Sequence, residues 1–233
     1  MSTPGAIGEN VRRFRGALHD ELARLGRAPE SVVVVAISKT FGPEFVDAAA
    51  TVGFLDFGEN RVQEAAGKIP QVRAAGLRWH LIGHLQENKA RDAVGLFDLI
   101  HSVDSLELAR ALDRRAGATG KRQDILLQVN TTAESQKSGC DPAGVEELAG
   151  RIAALPNLRI MGLMTIGPFV DDPAPIAVAF RSLRGWFDRL SSTDLHGGAM
   201  RYCSMGMSDD WRMALAEGAN MLRIGRAVFG ERG

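Results

Sequence analysis

Residues 32–39 read V-V-V-V-A-I-S-K, an almost unbroken apolar run that stops on a lysine. A run without alternation predicts a strand covered on both faces, as in a parallel sheet with helices outside it. Before it, Ile7, Val11, Phe14, Leu18 and Leu22 recur at steps of three and four. That spacing predicts an amphipathic helix over 7–25, broken by Gly26 and Pro29. After the run the two periods alternate. Short apolar stretches at 54–58, 78–82, 99–103, 125–129, 160–164 and 221–224 predict strands, and 201–205 predicts a short, poorly patterned one. Helices are expected over 43–50, 61–74 and 85–94, and to about residue 115 after a cap at Asp104 or Ser105. Asp141-Pro142 starts another, cap then first-turn proline, which ends before Pro156. Ile176, Phe180, Leu183, Phe187 and Leu190 line one face of the next. Ser208 or Asp209 is expected to cap a helix carrying Trp211 and Leu215, and Ala227 begins a final short element.

Eight strands, each followed by a helix, make the count of a closed (β/α)8 TIM barrel: one α/β domain over 1–233 with an extra N-terminal helix. An open doubly wound sheet would want G-x-G-x-x-G after the first strand, and only Gly42 stands near that place. The length of 233 residues suits a barrel, and 45% apolar residues supply its core. Lysines plus arginines (28) equal aspartates plus glutamates (28), which argues against nucleic acid or an anionic membrane as the main partner. Cys140 and Cys203 lack the spacing of a redox or zinc pair and read as small buried hydrophobes. The first ten residues lack the features of a signal peptide, and no run approaches a membrane span. A cytoplasmic protein is expected.

In a barrel, chemistry collects where strands end. Those ends carry Lys39, Glu59-Asn60, His80, Gly83-His84, His101-Ser102, Asn130, Thr165, Ser204–Ser208 and Arg223-Gly225. Lys39 has a plain reading, a lysine that ends a strand by reaching water. His80 is equally a satisfied core histidine or a ring-facing one, and no set of residues is spaced like a metal site. Barrels place phosphate after strands seven and eight, where S-M-G-M-S at 204–208 and Ile224–Arg226 fall. Arg223 lies in an apolar strand, so its guanidinium requires a partner, either a core carboxylate or a ligand at the mouth. A lysine, a phosphate cradle and an inward arginine suit an aldehyde cofactor carrying a phosphate. A Schiff-base aldolase acting on a phosphosugar would want the same parts.

Here the chain resembles a known family. V-A-I-S-K-T at 35–40, F-G-E-N-R-V-Q-E at 57–64, W-H-L-I-G-H-L-Q-E-N-K at 79–89 and H-S-V-D at 101–104 look like the pyridoxal phosphate homeostasis proteins. So do Q-V-N at 128–130, E-x-x-K-x-G at 134–139, G-L-M-T-I at 162–166, S-M-G-M-S at 204–208 and R-I-G at 223–225. The match runs in order along essentially the whole chain. It implies a single barrel related to the N-terminal domain of alanine racemase, binding pyridoxal 5'-phosphate (PLP). It implies that Lys39 forms the internal aldimine and that Arg223 faces the pyridine nitrogen. Ser204, the Met207-Ser208 turn and the Gly225-Arg226 backbone would hold the phosphate. Asn60 and His80 would line the ring pocket, with Asn130 or Lys137 near the phenolic oxygen.

An arginine against the pyridine nitrogen disfavours its protonation and makes a poorer electron sink. Racemization also needs a second acid/base, which alanine racemase takes from a tyrosine associated with a second, β-rich domain. The one tyrosine here, Tyr202, shares a face with Ser204 but lies deeper, as packing, and no second domain is expected. The favoured expectation is therefore a monomeric, non-catalytic carrier that holds PLP and takes part in its homeostasis, with transient transfer to apoenzymes. A small fold-type III amino acid racemase or decarboxylase is the alternative.

Overall fold

The computed structural model describes residues 3–132, 134, 138–193 and 200–231. Eight parallel strands pair in chain order, and β8 (Met221–Ile224) closes onto β1 (Val33–Ile37). Between them lie β2 (Asp56–Glu59), β3 (Arg78–Leu81), β4 (Leu99–Val103), β5 (Gln123–Gln128), β6 (Leu158–Met164) and β7 (Tyr202–Ser204). Closure sets Val33 beside Met221, and the register continues to Ala36 beside Ile224. The barrel expected from the alternation is the fold observed.

The helices are α1 (Ile7–Arg24), α2 (Pro43–Thr51), α3 (Val62–Lys68), α4 (Ala90–Leu96), α5 (Leu106–Ala118), α6 (Val145–Ala153), α7 (Pro173–Ser191), α8 (Trp211–Ala216) and α9 (Arg226–Phe229). Ser105 caps α5 by accepting the Leu108 N–H at 3.2 Å, as expected. The helix expected over 61–74 stops at Lys68 and continues as the 3-10 turn Ile69–Gln71, because Pro70 lacks a donor. That expected from residue 85 opens as the turn Glu87–Lys89 and becomes α-helical at Ala90. Neither Ser208 nor Asp209 caps α8. Asp210 precedes it instead, and its carboxylate accepts the Met207 N–H.

Alternation along the strands sorts side chains into two cores. Phe57, Leu81, Ile100, Ile125, Leu127, Leu163 and Leu222 face outward under the helices. Val35, Ile37, Leu99, Leu126, Met161, Met164 and Met221 fill the barrel. A polar seam shares that interior: Asp56, His80, His101, Ser204 and Arg223 are all buried. α1 lies against the chain's last elements. Asn10 Nδ2 donates to the Val228 carbonyl at 3.3 Å, and Phe14 meets Trp211 edge-on at 5.6 Å. Arg27, just past α1, donates to the carbonyls of Leu215 at 3.0 Å and Ala219 at 2.7 Å.

Candidate functional site

Lys39 stands two residues beyond β1, and both of its neighbours are held. Ser38 is fully buried; its Oγ donates to Glu59 Oε1 at 2.6 Å, and its carbonyl accepts from Lys68 Nζ at 2.7 Å. Lys68 also pairs with Glu59 at 2.7 Å and Glu64 at 2.9 Å. Thr40 takes the left-handed conformation, φ 70°, which costs a residue with a Cβ about 1–2 kcal/mol. The Glu64 carboxylate accepts the Thr40 N–H and offsets that strain. Burial pushes the Glu59 carboxyl up despite Lys68 and Ser38. Burial opposes ionization of Glu64 too, but hydrogen bonds from Lys68 and Thr40 outweigh it and hold that carboxyl down.

So supported, half-buried Lys39 lines a cavity of about 280 Å³ at the carboxyl end of the barrel. Ile37, Ile82 and Phe169 form its apolar walls, and Met207, Ser208, Asp209, Arg223, Gly225 and Arg226 its polar side. Arg223 donates from Nη1 to Ser204 Oγ and from Nη2 to the Thr165 carbonyl, both at 2.7 Å. Burial lowers its pKa to about 10, so it remains a cation at neutral pH. The β7–α8 and β8–α9 loops meet through an Asp209–Arg226 ion pair. Gly206 takes φ 93°, and a Cβ there would lie 2.6 Å from the Ala214 Cβ, so only glycine fits. Gly225 opens the single turn of α9, whose first N–H groups have no acceptor within it.

A neighbouring cavity of about 230 Å³ shares Ile82 and Phe169 with the first and is lined by Asn60, Gly83, His84, Gln128, Asn130 and Ser138. Asn60 packs on Gly83, where a Cβ would stand 2.1 Å from the Asn60 carbonyl oxygen. Asn130 organises its own loop. Its Nδ2 donates to the Glu134 carbonyl at 2.9 Å, and its Oδ1 accepts from the Thr132 hydroxyl at 2.9 Å. Lys137 lies outside the described residues.

The fold thus brings Lys39, Met207, Ser208, Arg223, Gly225 and Arg226 to one cavity and sets Asn60 and Asn130 in the adjoining one. Ser204 and His80 line neither. Both side chains are buried in the seam beneath Arg223, because strand alternation turns them to the barrel axis below the mouth. Met207 offers no spare N–H, since Asp210 accepts it. Sequence reasoning missed Asp56, Glu64 and Lys68. Their signals were a carboxylate within an apolar strand and a Glu-Lys pair at helical i, i+4 spacing. Tyr202 packs among the interior apolar side chains, as expected. Among the described residues no group of three or more metal-ligating side chains occurs, and no helix is long and apolar enough to cross a membrane.

The family model for the N-terminal domain of alanine racemase matches residues 6–233, so this closed parallel barrel, with a lysine after its first strand and an arginine in its last, is of the alanine-racemase type. Within that class, the pyridoxal phosphate homeostasis protein of Pseudomonas aeruginosa is 40% identical over 232 residues, covering 100% of this chain and 97% of that protein. The chain belongs to the pyridoxal phosphate homeostasis protein family. Among solved structures, the crystal structure of an unknown protein from Bifidobacterium adolescentis superposes with a TM-score of 0.92 at 36% identity, over 97% of this chain and 95% of that one. PipY of Synechococcus elongatus, solved with PLP bound, superposes with a TM-score of 0.80 at 39% identity, over 91% of this chain and 100% of that one.

Proposed function

We propose that this chain binds PLP at the carboxyl end of its barrel and serves its homeostasis without catalytic turnover. The observation that carries the reading is that Lys39 and Arg223 line one cavity together with the two loops that follow β7 and β8. When bound, PLP supplies an aldehyde that condenses reversibly with a primary amine. Lys39 is that amine. The Ser38 and Thr40 anchors hold its backbone, and the apolar walls keep bulk water from the linkage. Ser208, Gly225 and Arg226 hold the phosphate with backbone N–H groups and charge. Arg223 presents donors to the pyridine nitrogen, which disfavours protonation there and weakens the ring as an electron sink. Asn60 and Asn130 border the outer lobe, with Lys137 as a further contact to the cofactor. Ser204 and His80 act from beneath, through Arg223.

A racemase or decarboxylase reading is disfavoured, since Tyr202, the one tyrosine, packs among interior apolar side chains and is not among the residues lining the cavity. One domain over 1–233 acting as a monomer is part of this reading. Two free cysteines, both with thiols pushed up to about 12 by burial, suit a reducing cytoplasm. Transient contact with apoenzymes would empty the site.

Reconstitution with PLP tests the reading. The expected result is a visible absorption band that borohydride removes, leaving a reduced adduct on the Lys39 peptide by mass spectrometry. No band in isolated or reconstituted protein would overturn PLP binding. Steady racemization or decarboxylation of any of several amino acids would overturn the non-catalytic part.

A further inference from the structure

Beneath the mouth, the polar seam forms one continuous chain of hydrogen bonds. Arg223 Nη1 lies 2.7 Å from Ser204 Oγ, which lies 3.3 Å from His101 Nδ1. His101 Nε2 lies 2.9 Å from His80 Nδ1, and His80 Nε2 lies 2.9 Å from Asp56 Oδ1. Arg78 occupies the other Asp56 oxygen at 2.5 Å. The chain crosses from the carboxyl end of β8 to the first residue of β2.

We propose that His101, backed by His80 and Asp56, is a positioning residue for Arg223, acting through a hydrogen-bond chain that runs in one direction only. The role rests on the PLP reading of the mouth; the direction follows from donors and acceptors alone. A guanidinium only donates, so Ser204 Oγ accepts from Arg223 and gives its own proton to His101 Nδ1. His101 then carries its proton on Nε2 and donates to His80 Nδ1. His80 in turn donates from Nε2 to the Asp56 carboxylate, which only accepts and so ends the chain. Run the other way, Ser204 Oγ would receive donors from both sides while its own proton lost its acceptor at a fully buried position.

Burial, with His80 and Arg223 adding to it, holds His101 well below its ordinary pKa, which agrees with a bare Nδ1. The groups facing it are His80 from β3, Ser204 from β7 and, through Ser204, Arg223 from β8. Arg223 is thereby pinned at Nη1 by the chain and at Nη2 by the Thr165 carbonyl, while it lines the cavity. Because each link receives on one side and donates on the other, losing His101 leaves Ser204 free to turn and Arg223 held firmly only at Nη2, by the Thr165 carbonyl.

Two measurements test this. In cofactor-free protein labelled with ¹⁵N-histidine, long-range ¹H–¹⁵N spectra at neutral pH are expected to show His80 and His101 both as neutral Nε2–H tautomers. An Nδ1–H tautomer or an imidazolium at His101 would overturn the chain whether or not PLP binds. In PLP-loaded protein, His101→Leu removes acceptor and donor together, whereas His101→Gln retains one of each. The leucine variant is expected to weaken PLP binding about tenfold and shift the absorption band, with Lys39 still trapped by borohydride. The glutamine variant is expected to restore both. If His101→Leu does not fold, Ser204→Ala breaks the same link at the mouth and is expected to move the same two readouts. Unchanged affinity and band in the leucine variant, or in Ser204→Ala where leucine does not fold, sinks the positioning role. So does a glutamine variant as impaired as the leucine one. A wild-type protein that gives no band at all fails the PLP reading instead and leaves the tautomer result standing.

Discussion

The two ends of the barrel differ in what their polar groups face. At the amino end a groove of about 570 Å³ runs between α1 and the start of β1 and β2, walled by Phe14, Leu18, Leu22, Val33, Phe54 and Leu55. Its charges are already satisfied by the fold. Arg15 donates to the Val52 carbonyl at 2.7 Å and lies over Phe54, and Asp56 is held by His80 and Arg78. The cavity at the carboxyl end is smaller, yet Lys39, Arg223 and two loops converge on it. Parallel strands explain the asymmetry. Every strand delivers its carboxyl-end residues to the same rim, so groups distant in sequence meet there. The amino-end groove lies beside the later turns of α1, which runs alongside the barrel from Val228 after β8 to Ala219 before it. Volume alone would favour the end at which no lysine and arginine converge.

The sharpest way to break this contrast is Lys39→Ala. It is expected to abolish the borohydride-trapped adduct completely while moving the melting temperature by only a few degrees, because the side chain is half-buried and faces the mouth. Unfolding of that variant would show that the lysine belongs to the scaffold. Next in size is Asp56→Leu, which strips the acceptor from His80 and Arg78 at the far end of the seam. A loss of about 2–4 kcal/mol in urea unfolding is expected, with a smaller change in PLP affinity. Equal stability to wild type would mean that the seam is not held from its amino end.

Acid titration probes the same seam with a smaller effect. His101 is held well below 6.5 by burial first, then by His80 and Arg223. The unfolded chain binds a proton there that the fold refuses. That contribution is complete above about pH 6.5 and is lost as pH falls from 6.5 toward the folded value. Asp56 is raised by burial, but the bonds from His80 and Arg78 prevail and hold it below 3.8. Its contribution is lost only as pH falls below about 4, through its folded value. Stability measured in urea should thus begin to fall near pH 6.5, and His101→Gln should remove that first decline and leave the later one. The smallest effect is expected from Leu55→Ser in the amino-end groove, where the side chain is 53% exposed. Stability within about 0.5 kcal/mol of wild type and an unchanged PLP dissociation constant are expected. A weakened constant would tie the groove to the cofactor site.

Much of the architecture was legible because it is local. The α1 face from Ile7 to Leu22 is the one buried, and Leu99–Val103 and Met221–Ile224 are strands at the expected bounds. Where expectation slipped, a nearby residue overrode the pattern. Pro70 cut α3 short, and strand β2 began at Asp56 because the Phe54 N–H is taken by the Ala49 carbonyl in the turn that ends α2.

Apolar period, turn chemistry and the count of strand–helix units depend on neighbours in the chain, so the sequence by itself determined the barrel and the rim on which Lys39, Met207–Ser208 and Gly225–Arg226 stand. Which groups satisfy one another across the barrel depends on closure. Only the tertiary structure decided that Ser204 and His80 turn inward beneath Arg223, and that Glu64 and Lys68 brace the residues around Lys39. A buried donor takes the nearest acceptor in space, and in a closed barrel that acceptor comes from another strand or helix.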